Sequence, residues 1–472
     1  MLGLATPLPA QEGPDPVGDW AGELDVGAAR LTLVFHVTRS DDGTLASTLD
    51  SPDQGAMDIP TGATTLTGDT LTIEVPGVGG RYTGTIAGDT LTGTWSQGAQ
   101  SLPLVLARGG EIERPERPQD PQPPFPYRTE DVRIDNPEAE GVTLAGTLSI
   151  PEGEGPFPGV VLVSGSGPQD RDEALMGHRP FAVLADGLTR HGIAVLRYDD
   201  RGFASSTGEF AGATSRDFAS DAAAAAAWLA SRPDVADVGI VGHSEGGIVG
   251  PMVATEYGDR VDFLVLLAGT GLTGAEILAA QTELIMEANG APPGTVRANR
   301  EIQDVYAGVA RMDLEDEAAI AEARRRILPL LDTLPASLRN TLEGGSVENR
   351  DRGIAQNVRQ MNTPWFRFFL DYDPAETLRR VSDVPVLALN GSLDLQVPSE
   401  VNLTAIEEAL EAAGNDDVTV TELPGLNHLF QTATSGSPME YAKIEETMAP
   451  VVWETVAEWI RVRFPGGDGP TD

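Results

Sequence analysis

The stretch Val238-Gly239-Ile240-Val241-Gly242-His243-Ser244-Glu245-Gly246-Gly247 admits few folds. A β-branched apolar run meets a serine set between glycines, and small residues follow over 248–255. This is the pattern of a buried strand that turns sharply into a helix with the serine at the apex. At such a turn strand and helix pass so close that Gly242 and Gly246 have no room for a Cβ. The Ser244 hydroxyl is pushed out of the backbone. The Glu245 amide falls at a helix N-terminus, where N–H donors have no intrahelical acceptor. The pentapeptide alone also fits a loop serine with no chemical role, so its surroundings must decide.

Those surroundings alternate. Gly159-Val160-Val161-Leu162-Val163 is a continuous apolar run, expected of a strand buried on both faces. Strands around 130–133 and 142–150 lead into it. A helix over 181–189, a strand over 193–197 and an alanine-rich helix over 215–229 precede the serine turn, and a strand over 261–267 follows it. Further on come a strand at 384–389, a helix at 399–412, a strand at 418–423 and a helix at 448–462. The alternation predicts an α/β fold, a mostly parallel sheet wrapped by helices. It is interrupted between 272 and 380 by amphipathic helical patterns at 275–287, 296–311, 317–331 and 357–370. That block reads as a helical lid insertion, closed by Trp365, Phe366, Phe368, Phe369 and Tyr372. Most of these rings are expected in a core, with one or two lining a pocket.

Residues 19–108 have a different rhythm. In Leu31-Thr32-Leu33-Val34-Phe35-His36-Val37-Thr38 the large apolar residues fall mainly on alternate positions, as a half-buried strand requires. Thr65-Leu66-Thr67-Gly68-Asp69-Thr70-Leu71-Thr72 is echoed by Thr85-Ile86-Ala87-Gly88-Asp89-Thr90-Leu91-Thr92, each a strand, a Gly-Asp turn and a strand. A small all-β domain, barrel or sandwich, follows from this spacing. Trp95 reads as a core plug. His36, with no acidic partner close in sequence, reads as structural. Between 109 and 127, six prolines among charged residues suggest an extended spacer. The expected organisation is therefore a tail at 1–18, the β domain at 19–108, a linker at 109–127, core at 128–269, lid at 270–380, core again at 381–465 and a tail at 466–472.

The last two strands run into Asn390-Gly391-Ser392-Leu393-Asp394 and Pro424-Gly425-Leu426-Asn427-His428. Open α/β sheets collect reactive groups at these C-terminal strand edges. Hydrolysis through serine needs a base to take the hydroxyl proton and an acid to hold that base in one tautomer. Asp394 and His428 are the required types, in the chain order Ser, Asp, His. Separately, one is a common turn aspartate and the other a common loop histidine; the conjunction with Ser244 points to a catalytic triad.

These segments resemble the α/β-hydrolase superfamily, and within it a bacterial serine esterase group with an N-terminal β-rich domain. Narrower matches are Ser164-Gly165-Ser166-Gly167-Pro168-Gln169-Asp170-Arg171-Asp172 and Arg197-Tyr198-Asp199-Asp200-Arg201-Gly202. In the first domain the likeness rests on Leu49-Asp50-Ser51-Pro52-Asp53-Gln54-Gly55 and Gly93-Thr94-Trp95-Ser96-Gln97-Gly98. The resemblance implies catalytic Ser244, Asp394 and His428, and an oxyanion hole from the Glu245 and Ser166 amides, with Gly165 or Gly167 as alternatives. Relatives carry His-Gly where this chain has Ser164-Gly165. The run Asp170-Arg171-Asp172 is expected to pin its loop through ion pairs. His243 is expected to point away from Ser244, and His178 to be structural.

Composition trims the remaining classes. With 72 acidic against 32 basic residues the net charge is −40, which disfavours nucleic acid and anionic membranes as partners. Lys443 is the single lysine, a bias that suits a GC-rich genome or a salt-adapted proteome. No apolar run approaches the roughly 20 residues of a membrane span. The absence of cysteine removes disulfides, thiolate metal sites and cysteine nucleophiles. Neither a metal nor an organic cofactor is expected. The first residues resemble the end of an export signal, giving a periplasmic or secreted expectation. The expected activity is serine carboxylesterase, on small-molecule esters with short to medium acyl or small aromatic groups. Peptidase or thioesterase chemistry on the same triad is an alternative. A catalytically silent binding protein using its β domain is an alternative of another class.

Overall fold

The computed structural model describes residues 14–25, 30–40, 42–52, 56–97, 100–109, 115–258, 260–342 and 347–466. Most of the expected export-signal remnant, residues 110–114 of the proline-rich stretch and the last six residues lie outside these. The chain divides into two compact units, Met1–Pro115 with Glu343–Arg350, and Glu116–Leu342 with Asp351–Asp472.

In the first unit, period-two patterning becomes β1 (Gly18–Asp25), β2 (Arg30–Arg39), β3 (Leu45–Ser51), β4 (Ala56–Pro60), β5 (Thr64–Thr67), β6 (Thr70–Val75), β7 (Gly80–Ala87), β8 (Thr90–Gln97) and β9 (Gln100–Arg108). They form one antiparallel sheet in the order β4-β3-β2-β1-β9-β8-β7-β6-β5. The two echoing hairpins are present, with Thr67 paired to Thr70 and Ala87 to Thr90 across the Gly-Asp turns. Along β7 buried and exposed residues alternate strictly, so one face feeds a core with Trp20, Phe35, Tyr82 and Trp95. Trp95 is the plug its position implied. Ser47 of β3 and Thr64 of β5 hydrogen-bond through their hydroxyls at 2.8 Å. The sheet therefore curls until strands near its two ends meet, which favours the barrel-like alternative. His36 departs from expectation in its partners: Nδ1 lies 2.7 Å from Asp19 and Nε2 3.0 Å from Asp50. Cross-strand pairing supplies what sequence proximity did not, since Asp19 faces His36 directly in the β1/β2 register.

The second unit contains β10 (Arg128–Asp135), β11 (Thr143–Ile150), β12 (Phe157–Val163), β13 (Ala194–Tyr198), β14 (Val235–His243), β15 (Phe263–Leu267), β16 (Val386–Gly391) and β17 (Val418–Leu423). Their order is β10-β11-β13-β12-β14-β15-β16-β17, antiparallel at β10/β11 and β11/β13 and parallel beyond. Its flanking helices are α1 (Pro180–Arg190), α2 (Ser215–Ala230) and α3 (Gly246–Glu256), followed after the insertion by α11 (Ser399–Ala412), the short α12 (Pro438–Tyr441) and α13 (Pro450–Arg463). The two-residue strand period sorts the core. Val160 and Leu162 join α1 and α13 in one apolar cluster, while Val161 and Val163 join α2, α3 and α11 in another. Both faces are covered, which is why the central strands read as unbroken apolar runs.

The insertion between β15 and β16 comprises α4 (Gly274–Ala288), α5 (Pro293–Ala310), α6 (Asp316–Thr333), α7 (Ala336–Leu342), α8 (Val347–Met361), α9 (Pro364–Asp371) and α10 (Pro374–Leu378). The single helix expected at 357–370 is two. The first ends at Met361 and Thr363 caps the next, its hydroxyl accepting the Phe366 amide at 3.1 Å, with Pro364 in the first turn. The proline-rich stretch also corrects the reading, because residues 116–127 are tied down rather than free. Arg117 donates to the carbonyls of Ala442 and Ile444, each at 2.8 Å, and the Gln119 amide bridges Thr447 and Met448. Among the described residues no helix is long and apolar enough to cross a membrane.

Candidate active site

At the end of β14 the backbone has little freedom. A Cβ on Gly242 would lie 2.0 Å from the Gly246 carbonyl oxygen, and one on Gly246 would lie 2.1 Å from that of Val163. Between them Ser244 adopts φ +53°, a left-handed conformation that costs a non-glycine residue about 1–2 kcal/mol. Its amide donates to Leu267 O of β15 at 2.9 Å, anchoring the apex to the neighbouring strand. Helix α3 begins two residues later. Strain of this kind persists only where surrounding structure over-determines it, and it gathers at functional sites.

Asp394, beyond β16, and His428, beyond β17, meet at this edge. His428 Nδ1 lies 2.8 Å from Asp394 Oδ2, with both side chains almost fully buried. The other carboxylate oxygen accepts the amides of Gln396 and Val397, each at 2.8 Å. The aspartate is thereby fixed as an acceptor. That sets the His428 tautomer, with the proton on Nδ1 and Nε2 left over. The loop around His428 is wired to itself: Asn427 Oδ1 accepts the Leu429 and Gln431 amides at 3.0 and 2.9 Å. Ser244 and His428 line one cavity of about 290 Å³.

The same cavity is lined by Ser166 and Glu245. Among the described residues neither of their amides has a hydrogen-bond acceptor. Of the alternatives, the Gly165 amide is engaged, donating to Glu173 Oε1 at 2.7 Å, and Gly167 is not part of the cavity wall. The loop carrying them is held from behind. Asp200 accepts the Gln169 amide at 2.8 Å and the Ser164 hydroxyl at 3.1 Å. Burial pushes the Asp200 carboxyl up to about 8, with the carboxylates of Glu245 and Glu173 adding to the effect. Arg171 makes a two-pronged pair with Asp199, and Asp172 pairs with Arg179 and Arg197. The charged run pins the loop, as its composition suggested.

Trp365, Phe366 and Phe369 of α9 supply the aromatic wall, with Ile277 and Leu278 of α4 beside them. Three rings face the cavity, against the one or two expected. Phe368 and Tyr372 instead stack on each other, centroids 5.2 Å apart. Trp365 Nε1 donates to Glu245 Oε1 at 2.7 Å, and the Ser215 hydroxyl donates to the same oxygen at 2.6 Å. Burial raises the pKa of this Glu245 carboxyl.

Glu173, and the partners of His243, are not legible in the sequence. Glu173 follows the charged run directly, yet only the run was read as structural. Its carboxylate reaches both the Gly165 amide and His243 Nδ1, the latter at 2.9 Å. His243 does turn away from Ser244, but toward His428, whose carbonyl accepts from Nε2 at 3.0 Å. His178 is fully buried between Thr447 and the Tyr441 carbonyl, outside the cavity wall.

The sequence signature described as the alpha/beta hydrolase family matches residues 160–443, more than half of the chain. A curated relative, Esterase EstD of Thermotoga maritima, is 28% identical over 318 residues, 67% of this chain. The match spans 65% of that relative's length. Among solved structures, an esterase of Pyrococcus furiosus aligns over 75% of this chain and 99% of its own, at 15% identity and TM-score 0.43. A proline iminopeptidase of Mycobacterium smegmatis aligns over 71% and 98%, at 16% identity and TM-score 0.42. With the family signature spanning more than half of the chain and holding the elbow, the chain belongs to the α/β-hydrolase family.

Proposed function

We propose that this protein is a serine carboxylesterase. Ser244 Oγ attacks the ester carbonyl as His428 Nε2 takes its proton. The same nitrogen then returns that proton to the departing alcohol oxygen, leaving an acyl-Ser244. Water, deprotonated by His428, attacks the acyl carbon, and the bond to Ser244 Oγ breaks as His428 returns that proton to it, releasing the carboxylic acid. Asp394 orients His428 and offsets the charge the imidazole acquires. The Glu245 and Ser166 amides receive the oxyanion, each contributing about 3 kcal/mol. Hydrogen bonds between nucleophile and base are often long before substrate enters and tighten with it. The observation that carries this reading is the 2.8 Å Asp394–His428 bond at the edge where a strained Ser244 stands, with Ser244 and His428 bordering one cavity.

The cavity favours short to medium acyl chains or small aromatic esters. Its volume is about 290 Å³, and Trp365, Phe366, Phe369, Ile277 and Leu278 give it an apolar side, which suits one compact apolar group. The insertion acts as a lid through α4 and α9. Turnover of p-nitrophenyl esters across acyl lengths tests this: kcat/KM is expected to peak at short to medium chains, and a steady rise to palmitate contradicts it.

A further inference from the structure

His243 occupies an unusual electrostatic position. It is buried beside Ser244, with only 6% of its surface exposed, and both ring nitrogens face acceptors. Nε2 lies 3.0 Å from the His428 carbonyl, which can only accept, so Nε2 carries a proton. Nδ1 lies 2.9 Å from Glu173 Oε1, an oxygen that also accepts the Gly165 amide at 2.7 Å. An oxygen that accepts a backbone N–H and also faces a ring nitrogen is best served as a carboxylate, with the ring nitrogen as second donor. Glu173 Oε2 is buried with no hydrogen-bond partner among the described residues, so the group is compensated on its Oε1 side, where His243 stands.

We propose that His243 is held as an imidazolium paired with Glu173, and that this pair is the positioning device that registers the His428 loop against the loop of Gly165 and Ser166. The inference rests on the serine hydrolase reading above. The geometry explains why one clip reaches all parts of the site. From the end of β14, His243 holds the backbone of His428 itself. Through Glu173 it holds the residue preceding the Ser166 amide. Its ring sits 4.9 Å, centroid to centroid, from that of His428. A shift of either loop by an ångström misaligns base and oxyanion donors, a displacement that can cost about 100-fold in rate.

The groups facing His243 are Glu173 from the loop after β12, Asp394 from that after β16, and His428 and the Phe430 ring from that after β17. Burial opposes its charge, but Glu173, the His428 carbonyl and Asp394 together outweigh this and raise its pKa above the ordinary histidine value. The clip is therefore complete below about pH 6.5 and is lost as pH rises through the raised value. Without the second proton, the Nδ1 lone pair faces a carboxylate and the loops separate.

The first test is histidine side-chain 15N NMR on the wild type, which has five histidines. Both His243 nitrogens are expected to be protonated at neutral pH, and a single-proton tautomer overturns the proposal. The second is the pH profile of His243→Gln and Glu173→Gln. Each is expected to lower kcat about 10- to 100-fold with KM within about twofold, and to lose the wild-type alkaline decline in kcat. Wild-type kcat, or an unchanged alkaline decline, overturns it. Fluorophosphonate labelling separates the two readings. No adduct on wild-type Ser244 removes the hydrolase reading itself, whereas wild-type and variant proteins labelling at equal rates removes only the positioning role.

Discussion

The indole N–H of Trp365 donates to Glu245 Oε1 at 2.7 Å, joining helix α9 of the insertion to the residue immediately after Ser244. The wall over the cavity is thus tied to the floor by one bond to a buried carboxylate. Trp365→Phe keeps the ring and removes the donor, leaving Glu245 with less compensation. The expected result is a loss of about 1–3 kcal/mol in chemical unfolding and a rise in KM of about 3- to 10-fold, with kcat changed less.

Asp394→Asn tests the hold on His428. Two backbone amides keep the side chain in place, so the fold should survive. An amide group presented to Nδ1 favours the wrong imidazole tautomer. Steady-state assays are expected to show kcat lowered by about 10³- to 10⁴-fold with little change in KM.

Gly242→Ala addresses the elbow. Its Cβ would lie 2.0 Å from the Gly246 carbonyl oxygen, and no side chain can move aside to relieve a backbone contact. A loss above about 4 kcal/mol, or failure to fold, is expected from thermal denaturation. Gly250→Ala in α3 is the control. Its nearest contact is a 3.3 Å approach to the Ile240 side chain, and helix propensity favours alanine, so stability should stay within about 1 kcal/mol of wild type.

Asp200 makes stability depend on pH. Its carboxyl is raised to about 8 in the folded protein from 3.8, so the native state keeps a proton that the unfolded chain gives up between these values. Stability therefore falls as pH rises across that window. Asp200→Asn mimics the protonated acid and lets the Ser164 hydroxyl reverse its bond. Denaturant titrations should show its advantage over wild type opening above about pH 4 and reaching at least about 1–3 kcal/mol near pH 8.

Local chemistry explains which features were legible in the sequence. The elbow can be read because glycines and serine must be adjacent for strand and helix to pass so closely. The central strands can be read because burial on both faces removes every polar residue from Val160 to Val163. Asp394 and His428 are visible because strand endings punctuate the chain. The Asp19–His36–Asp50 and Glu173–His243–His428 contacts were not legible, since strand pairing and loop packing bring together residues far apart in the chain. The division of the expected 357–370 helix turned on Thr363 and Pro364, a cap and first-turn pair that the amphipathic pattern ran across. Arg117 and Gln119 looked like spacer residues because proline content reports backbone extension and says nothing of what an extended segment packs against.

The most direct measurement is peptide mass spectrometry after treating the protein with a fluorophosphonate, run on wild type, Ser244→Ala and His428→Ala. A single adduct on Ser244 is expected in the wild type, none in Ser244→Ala, and labelling slowed at least about 100-fold in folded His428→Ala. A folded wild-type protein that takes no adduct, or takes it at another serine, contradicts the assignment of Ser244 as the nucleophile.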